Sequence, residues 1–265
     1  MVDIQRIKEE RGIKIEKAGI KKLRYPIRIL VKGESSYQTP VATAELAVEV
    51  PYNVKGTHMS RFTKIVHKYK DRIHGRHFID MLRDIKAELE TPRAYARFSF
   101  PFYMEKNAPI SREISLMEYI CEMEGSTDGV NDAMSISVSV PVTTLCPCSK
   151  AISDMGAHNQ RADVRVVVDV SNEMLWIEDV IKAVEDSASS PLYSLLKRVD
   201  EKHVTEQAYK NPQFVEDVVR EVYGRVEKLY KNKCNCNFTI ECESYESIHN
   251  HNAFASTSTS YQRQP

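Results

Sequence analysis

The sequence lacks a basic excess. Lysine plus arginine number 37 and aspartate plus glutamate number 37 in 265 residues, so the formal charge is zero. Nucleic-acid binders usually carry a positive surplus to neutralise phosphates, so no nucleic-acid partner is expected. There is also no apolar run long enough to cross a bilayer. The charged segment from Met1 to Arg11 has no apolar core of the kind a secretory leader needs. A cytoplasmic protein with no membrane partner is the expectation. Neither GxxxxGK followed by Ser or Thr nor a strand-linked GxGxxG occurs. A bound nucleotide would therefore not be held by a P-loop or a Rossmann turn.

What is present suits a globular chain: 42% hydrophobic and 28% charged residues. The six cysteines are Cys121, Cys146, Cys148, Cys234, Cys236 and Cys242. In a cytosolic chain of this size they read as thiols or metal ligands rather than disulfides. Cys121 and Cys242 read as core residues, and Cys234 and Cys236 as partly exposed thiols.

Periodicity gives the order of elements. Residues 25–32 alternate like a strand, residues 41–50 form a second apolar, β-prone run ended by Pro51, and residues 59–89 have helical spacing with a break at His74-Gly75. Residues 93–103, with Pro101 as a bulge or end, and 114–122 return to strand character. A Gly-, Ser- and Asp-rich stretch at 125–132 reads as a loop and a boundary between halves. Strands are expected again at 134–142, 162–170, 237–242 and 253–261, and helices at 176–188 and 191–199. Asn211-Pro212 reads as the start of a further helix, because Asn caps well and Pro suits a first turn. The order is ββααββ, twice. It predicts an α+β protein with helices layered on one face of antiparallel sheets. The division expected is an N-terminal arm at 1–20, a first half at 21–128 and a second half at 129–265 holding most of the site.

Two segments concentrate reactive side chains. The first joins two predicted strands and holds Cys146, Cys148 and His158. Thiolate and imidazole are ligand types that zinc, iron(II) and manganese sites draw on, with or without carboxylate. A lone CxC is more often a pair of buried thiols; a nearby histidine shifts the balance toward a site. The second segment holds Glu246, His249 and His251. Histidines two apart on an extended chain face the same way and suit metal ligation or proton transfer near neutral pH. A polar turn is the equal alternative. Glu201 and Glu216, taken alone, read as solvated helix charges. His58 could stand at a helix start, where backbone N–H groups attract anions.

Together these segments become recognisable. PVTTLCPCSKAIS, GAHNQR, DEKHVTEQAYKNPQFVEDVVR and ESYESIHNHNA, with GIKKLRYPI and KGTHMSRF nearer the N-terminus, resemble the type IB, metal-dependent form of GTP cyclohydrolase I. The resemblance runs from about Gly12 to Tyr261. It implies two tandem tunnelling-fold halves and a ring-like homo-oligomer, expected to be a tetramer, with active sites between subunits. It implies GTP as substrate, and formate and 7,8-dihydroneopterin triphosphate as products, the first step toward folate.

It also implies roles. Cys146, His158 and Glu201 correspond to metal ligands, with Mn²⁺, Zn²⁺ or Fe²⁺ as the divalent ion. Cys148, His249 and His251 correspond to further catalytic positions. Glu216 matches the carboxylate that anchors the base, and Glu246 stands beside the histidine pair. His58 and Arg61 are candidates for the triphosphate. Three rivals share parts of this pattern: an iron(II) archaeal relative that makes a cyclic-phosphate pterin, a tunnelling-fold nitrile reductase, and a non-catalytic protein with a structural metal.

Overall fold

The structure is a computed structural model that describes residues 5, 7–33, 37–170, 175–230 and 236–259. The first run of elements is β1 (Ile15–Pro26), β2 (Ile29–Leu30), β3 (Tyr37–Gln38), β4 (Val41–Val50), α1 (Met59–Tyr69), α2 (Arg76–Leu89), β5 (Ala94–Asn107) and β6 (Ile114–Thr127). The second is β7 (Asp132–Leu145), α3 (Pro147–Ile152), β8 (Asn159–Asp169), α4 (Ile177–Glu185), β9 (Ser190–Pro191), α5 (Arg198–Lys210), α6 (Val215–Tyr230), β10 (Phe238–Ser244) and β11 (Ala253–Ser258). The chain clusters into two compact units that interleave in sequence. One comprises Met1–Pro101, Cys121–Ile136 and Asp169–Leu175; the other comprises Phe102–Ile120, Ser137–Val168 and Trp176–Pro265.

In the first unit β1 pairs antiparallel with β4, and β4 with β5. Strand parity makes the core. Ala42, Ala44, Leu46, Val48 and Val50 of β4 are buried, as are Ala94, Ala96, Phe98 and Phe100 of β5. Helices α1 and α2 turn Phe62, Ile65, Val66, Phe78, Met81, Leu82 and Ile85 inward. Phe78 meets Phe98 edge-to-face at 6.1 Å. Burying each such side chain stabilises by roughly 1.5–3 kcal/mol. Gly125 is required here: a Cβ would stand 2.5 Å from the Ala133 carbonyl oxygen and 2.9 Å from Phe78. The expected break between α1 and α2 falls where the sequence puts it, at Gly75, whose φ is +48°.

In the second unit the strand order runs β7-β8-β10-β11, with β9 paired to β7. β10 is antiparallel to both β8 and β11. Val138, Val140 and Val142 of β7, Ala162, Val164, Val166 and Val168 of β8, and Phe238, Ile240 and Cys242 of β10 share the buried face. Helix α4 buries Val180, Ile181 and Val184. Helix α6 buries Val215, Val218, Val219, Val222 and Val226. The buried thiols Cys121 and Cys242 are core residues, as expected.

Two buried polar groups bind the second unit together. The Lys106 ammonium lies 2.5 Å from Glu185 and 2.6 Å from the Leu192 carbonyl oxygen, and the Tyr119 hydroxyl donates to the same Glu185 oxygen at 2.7 Å. Burial lowers the Lys106 pKa, against the pull of Glu185. Asp200, fully buried in α5, accepts from the backbone N–H groups of Ile110 and Ser111 at 2.8 Å each. It also accepts from the Ser111 hydroxyl at 2.6 Å and from the Lys197 N–H at 2.9 Å. Burial alone would raise its pKa, yet these donors hold the carboxyl well below the usual range. Helix α5 buries only Asp200 and Ala208, so this carboxylate, not an apolar stripe, docks its N-terminus.

The differences from expectation have local causes. β1 starts at Ile15, inside the segment expected to be an arm, because almost every one of its side chains is exposed or half-exposed and an edge strand reads as polar. Residues 191–197 are not helical. Pro191 pairs in β9, and the helix begins only at Arg198, where Asp200 caps it. Asn211 ends α5 rather than starting α6; the Phe214 N–H donates to Asp217, which sets the start of α6 at Val215. β6 runs to Thr127, past the glycine that suggested a loop. β5 passes through Pro101 and continues to Asn107.

Candidate active site

The ends of four strands in the second unit carry the reactive side chains. β7 ends at Leu145 and hands over to Cys146; β8 starts at Asn159, just after His158. The Cys146 N–H donates to the His158 carbonyl at 3.1 Å, which extends the pairing of the two strands by one step. Cys146 then caps α3. Its Sγ accepts from the Ser149 N–H at 3.3 Å, and Pro147 occupies the first turn, where a missing N–H costs nothing. The Ser149 hydroxyl accepts from the His158 N–H at 3.2 Å and locks the other side of the loop. Cys146 is half-buried and Cys148 exposed, and both are free thiols.

Across the sheet end, β10 stops at Ser244, and the Tyr245 N–H donates to the Arg161 carbonyl at 2.9 Å. The Tyr245 hydroxyl donates to Asp163 at 2.6 Å, a bond that pushes its pKa up to about 12. The turn that follows brings Glu246, His249 and His251 beside His158. Glu246 lies 3.8 Å from His158 Nδ1. The His158 and His249 rings meet edge-on at 6.4 Å, and the His249 and His251 rings stack at 5.1 Å. The side chains of His158 and Glu246 are 12% and 14% exposed. His249 and His251 thus lie side by side, with His249 next to His158.

Glu216 sits at the exposed start of α6. Its charge, with that of Asp163, adds to burial in raising the Cys242 thiol to about 12, so the carboxylate lies over the same end of β10. The Gln213 N–H donates to the Leu145 carbonyl at 3.1 Å and ties this helix start to the residue before Cys146.

Glu201 departs from the expected ligand set. Among the described residues no group of three or more His, Cys, Asp or Glu side chains is disposed to hold a metal ion. Helix α5 meets the Cys146 loop through its other end, where the Lys150 ammonium reaches the Tyr209 carbonyl at 2.5 Å. Glu201 is roughly 12 Å up the axis from there, at about 1.5 Å per residue. It is exposed, while its neighbour Asp200 turns inward.

His58 and Arg61 belong to the first unit, in which His58 precedes α1. The Arg61 guanidinium donates to the Glu88 carbonyl and so ties α1 to α2. Of the second CxC pair, Cys234 lies outside the described residues. Cys236 is disulfide-bonded, where a free thiol was expected.

Reading the sequence missed three residues at this site: Gln160, Thr144 and Ser244. The Gln160 amide reaches His158 Nδ1 at 2.9 Å, the Thr144 hydroxyl at 3.1 Å and Glu246 at 3.3 Å. Parity is the signal that could have found it, since Gln160 stands two residues from His158 on an extended chain.

An antiparallel sheet with helices on one face defines a tunnelling-fold protein, and a carboxylate and three imidazoles gather at one end of its sheet. The fold is similar to that of uricase from Arthrobacter globiformis, with a TM-score of 0.51 over 94% of this chain and 96% of that one at 7% identity. A hyper-thermostable AgUricase mutant superposes with a TM-score of 0.50 over 94% of this chain and 92% of that one at 6% identity. The particular family comes from sequence. The description of the type I GTP cyclohydrolase folE2 family matches residues 1–255. The chain is 46% identical over 255 residues to GTP cyclohydrolase FolE2 of Syntrophus aciditrophicus, covering 96% of this chain and 98% of that protein. It is 45% identical to GTP cyclohydrolase FolE2 of Syntrophotalea carbinolica (96% and 94% covered) and 44% identical to that of Fervidobacterium nodosum (96% and 95% covered). The chain belongs to the type I GTP cyclohydrolase folE2 family.

Proposed function

We propose that this chain is a GTP cyclohydrolase I that converts GTP and water to formate and 7,8-dihydroneopterin triphosphate, at the head of folate synthesis. The observation that carries the reading is the full-length family match, joined to a thiol, a carboxylate and three imidazoles at one sheet end.

Each residue has a chemical task. Cys146 and His158 would hold a divalent metal (Mn²⁺, Zn²⁺ or Fe²⁺), and the thiolate–imidazole donor set suits all three. Glu201 is the third donor we assign, joining when chains associate into the homo-oligomer. The metal, when bound, supplies acidification of the attacking water. Glu216 accepts two parallel hydrogen bonds from the N1–H and 2-amino group of guanine, each worth on the order of 1.5–3 kcal/mol. His249 and His251 pass protons to the ring nitrogens as the bonds to C8 break, and Glu246 orients the cluster. Cys148, exposed at the first turn of α3, contacts the substrate. His58 and Arg61 take the triphosphate. The assembly is a homo-oligomer, taken as a tetramer with its sites between subunits, that works in the cytoplasm. Among the described residues, no helix is long and apolar enough to cross a membrane.

The test is turnover by metal-stripped protein given GTP and Mn²⁺, Zn²⁺ or anaerobic Fe²⁺ in separate reactions. Formate release and the fluorescence of oxidised neopterin are followed, with Cys146→Ala as control. Metal-dependent neopterin triphosphate that disappears in the variant is the expected result. No turnover with any metal from a folded oligomer rejects the reading.

A further inference from the structure

Hydrogen-bond direction can be followed through the polar groups beneath the histidine cluster, and it leads to one conclusion about His158. Glu246, as a carboxylate, can only accept. Its Oε1 lies 2.9 Å from the Ser244 hydroxyl and 3.3 Å from Gln160 Nε2. The Ser244 hydroxyl proton is thereby committed to Glu246. The buried Thr144 hydroxyl, 3.2 Å from Ser244, must then donate to it. With its own proton committed, Thr144 can only accept from Gln160 Nε2 at 3.1 Å. Both hydrogens of the Gln160 amide nitrogen are now assigned, one to Thr144 and one to Glu246. The amide cannot flip without facing its oxygen at a carboxylate. Its Oε1 therefore points at His158 Nδ1, 2.9 Å away, and an amide oxygen requires a donor there.

We propose that Gln160, held by Thr144 and Glu246, is a positioning residue that locks His158 in the Nδ1–H tautomer. His158 Nε2 is then left with its lone pair free for an electrophile. The closed ring takes Thr144 from β7, Gln160 from β8 and Ser244 from β10, with Glu246 in the turn that follows β10, so the lock is anchored at the sheet end. A hydrogen bond to the second ring nitrogen fixes the tautomer and the ring plane of a ligating histidine, and losing such a partner typically weakens metal binding about 10–100-fold. The use of the lock rests on the cyclohydrolase reading; its geometry does not.

The deciding measurement needs neither GTP nor metal. Metal-free protein with ¹⁵N-labelled histidine is studied by two-bond proton–nitrogen correlation at about pH 8, above the usual imidazole range. His158 is assigned as the signal absent from His158→Asn. Wild type is expected to show the Nδ1–H tautomer. Gln160→Met removes the acceptor, and Glu246→Gln, nearly isosteric, lets the Gln160 amide present either end. Both should give mixed or Nε2–H signals. A parallel titration with Mn²⁺ should show affinity falling about 10–100-fold in Gln160→Met. An Nε2–H signal in wild type, or an Nδ1–H signal unchanged in both variants, overturns the proposal. If Gln160→Met does not fold, Glu246→Gln decides alone. A locked Nδ1–H tautomer in protein that never turns over GTP rejects the cyclohydrolase reading and leaves the lock standing.

Discussion

Asp200 and Glu246 are both carboxylates in the second unit, and both are wrapped in donors, yet they do different work. Asp200 receives four hydrogen bonds, from Ile110, Ser111 twice and Lys197, and every donor around it ends there. Nothing reactive is left over. Glu246 also closes a ring of bonds, but that ring ends in surplus chemistry: an imidazole nitrogen of His158, with the stacked pair His249 and His251 beside it. A saturated polar cluster fixes structure. A cluster whose bonds orient groups that remain unspent is prepared for a ligand. The same contrast sorts adjacent residues on α5, where Asp200 is consumed by the fold and Glu201 stays available at the surface.

This contrast can be broken by substitution. The largest effects on activity should come from the unspent groups. Cys146→Ala should reduce turnover to the level of metal-free protein, and His251→Ala should lower kcat about 10²–10⁴-fold. Thermal unfolding of both should stay near wild type, because neither side chain supports the core. A coincident collapse of Tm would show that these groups are structural after all. The saturated groups should do the reverse. Lys106→Ala leaves Glu185 buried without its cation and should cost about 3–5 kcal/mol by denaturant unfolding. Asp200→Asn should lower Tm by several degrees, and it should also change the pH dependence. The folded pKa of Asp200 is depressed below the usual value of about 3.9, so its stabilisation is present above that value and is lost as pH falls below it. Acid unfolding of Asp200→Asn should accordingly be shallower than that of wild type. An unchanged acid limb would mean that the carboxylate is not the group being protonated.

Much of this division was legible in the sequence. The strand runs read at 41–50, 162–170 and 237–242 are core signals carried by local apolar composition, and they mapped onto the buried faces of β4, β8 and β10. The Cys146, His158 and His249 segments were visible because reactive residue types cluster there. Three things were not legible. Helix α5 has little apolar face, and its docking rests on one carboxylate whose partners, Ile110 and Ser111, are distant in sequence. The start of α6 is set by Asp217 rather than by the Asn-Pro pair that imitates a cap. The role of Gln160 depends on a ring of bonds drawn from three strands, and no local pattern announces a closed ring. Separation in sequence hid all three.

Arg61 tests the contrast at its weakest point, since one side chain is assigned both kinds of work. Its guanidinium supports the Glu88 carbonyl between α1 and α2, and a fork of five donors can spare the others for a phosphate. Removing one exposed hydrogen bond costs about 0.5–1.5 kcal/mol, so Arg61→Ala should show a small loss of stability. If the remaining donors also hold the triphosphate, KM for GTP should rise about tenfold with kcat nearly unchanged, the signature of lost uniform binding, equivalent to about 1.4 kcal/mol. Arg61→Lys should recover part of the KM, since an ammonium still attracts phosphate, but not the geometry of the α1–α2 tie. A stability loss with no change in KM would place Arg61 with Asp200, among the residues the fold has consumed.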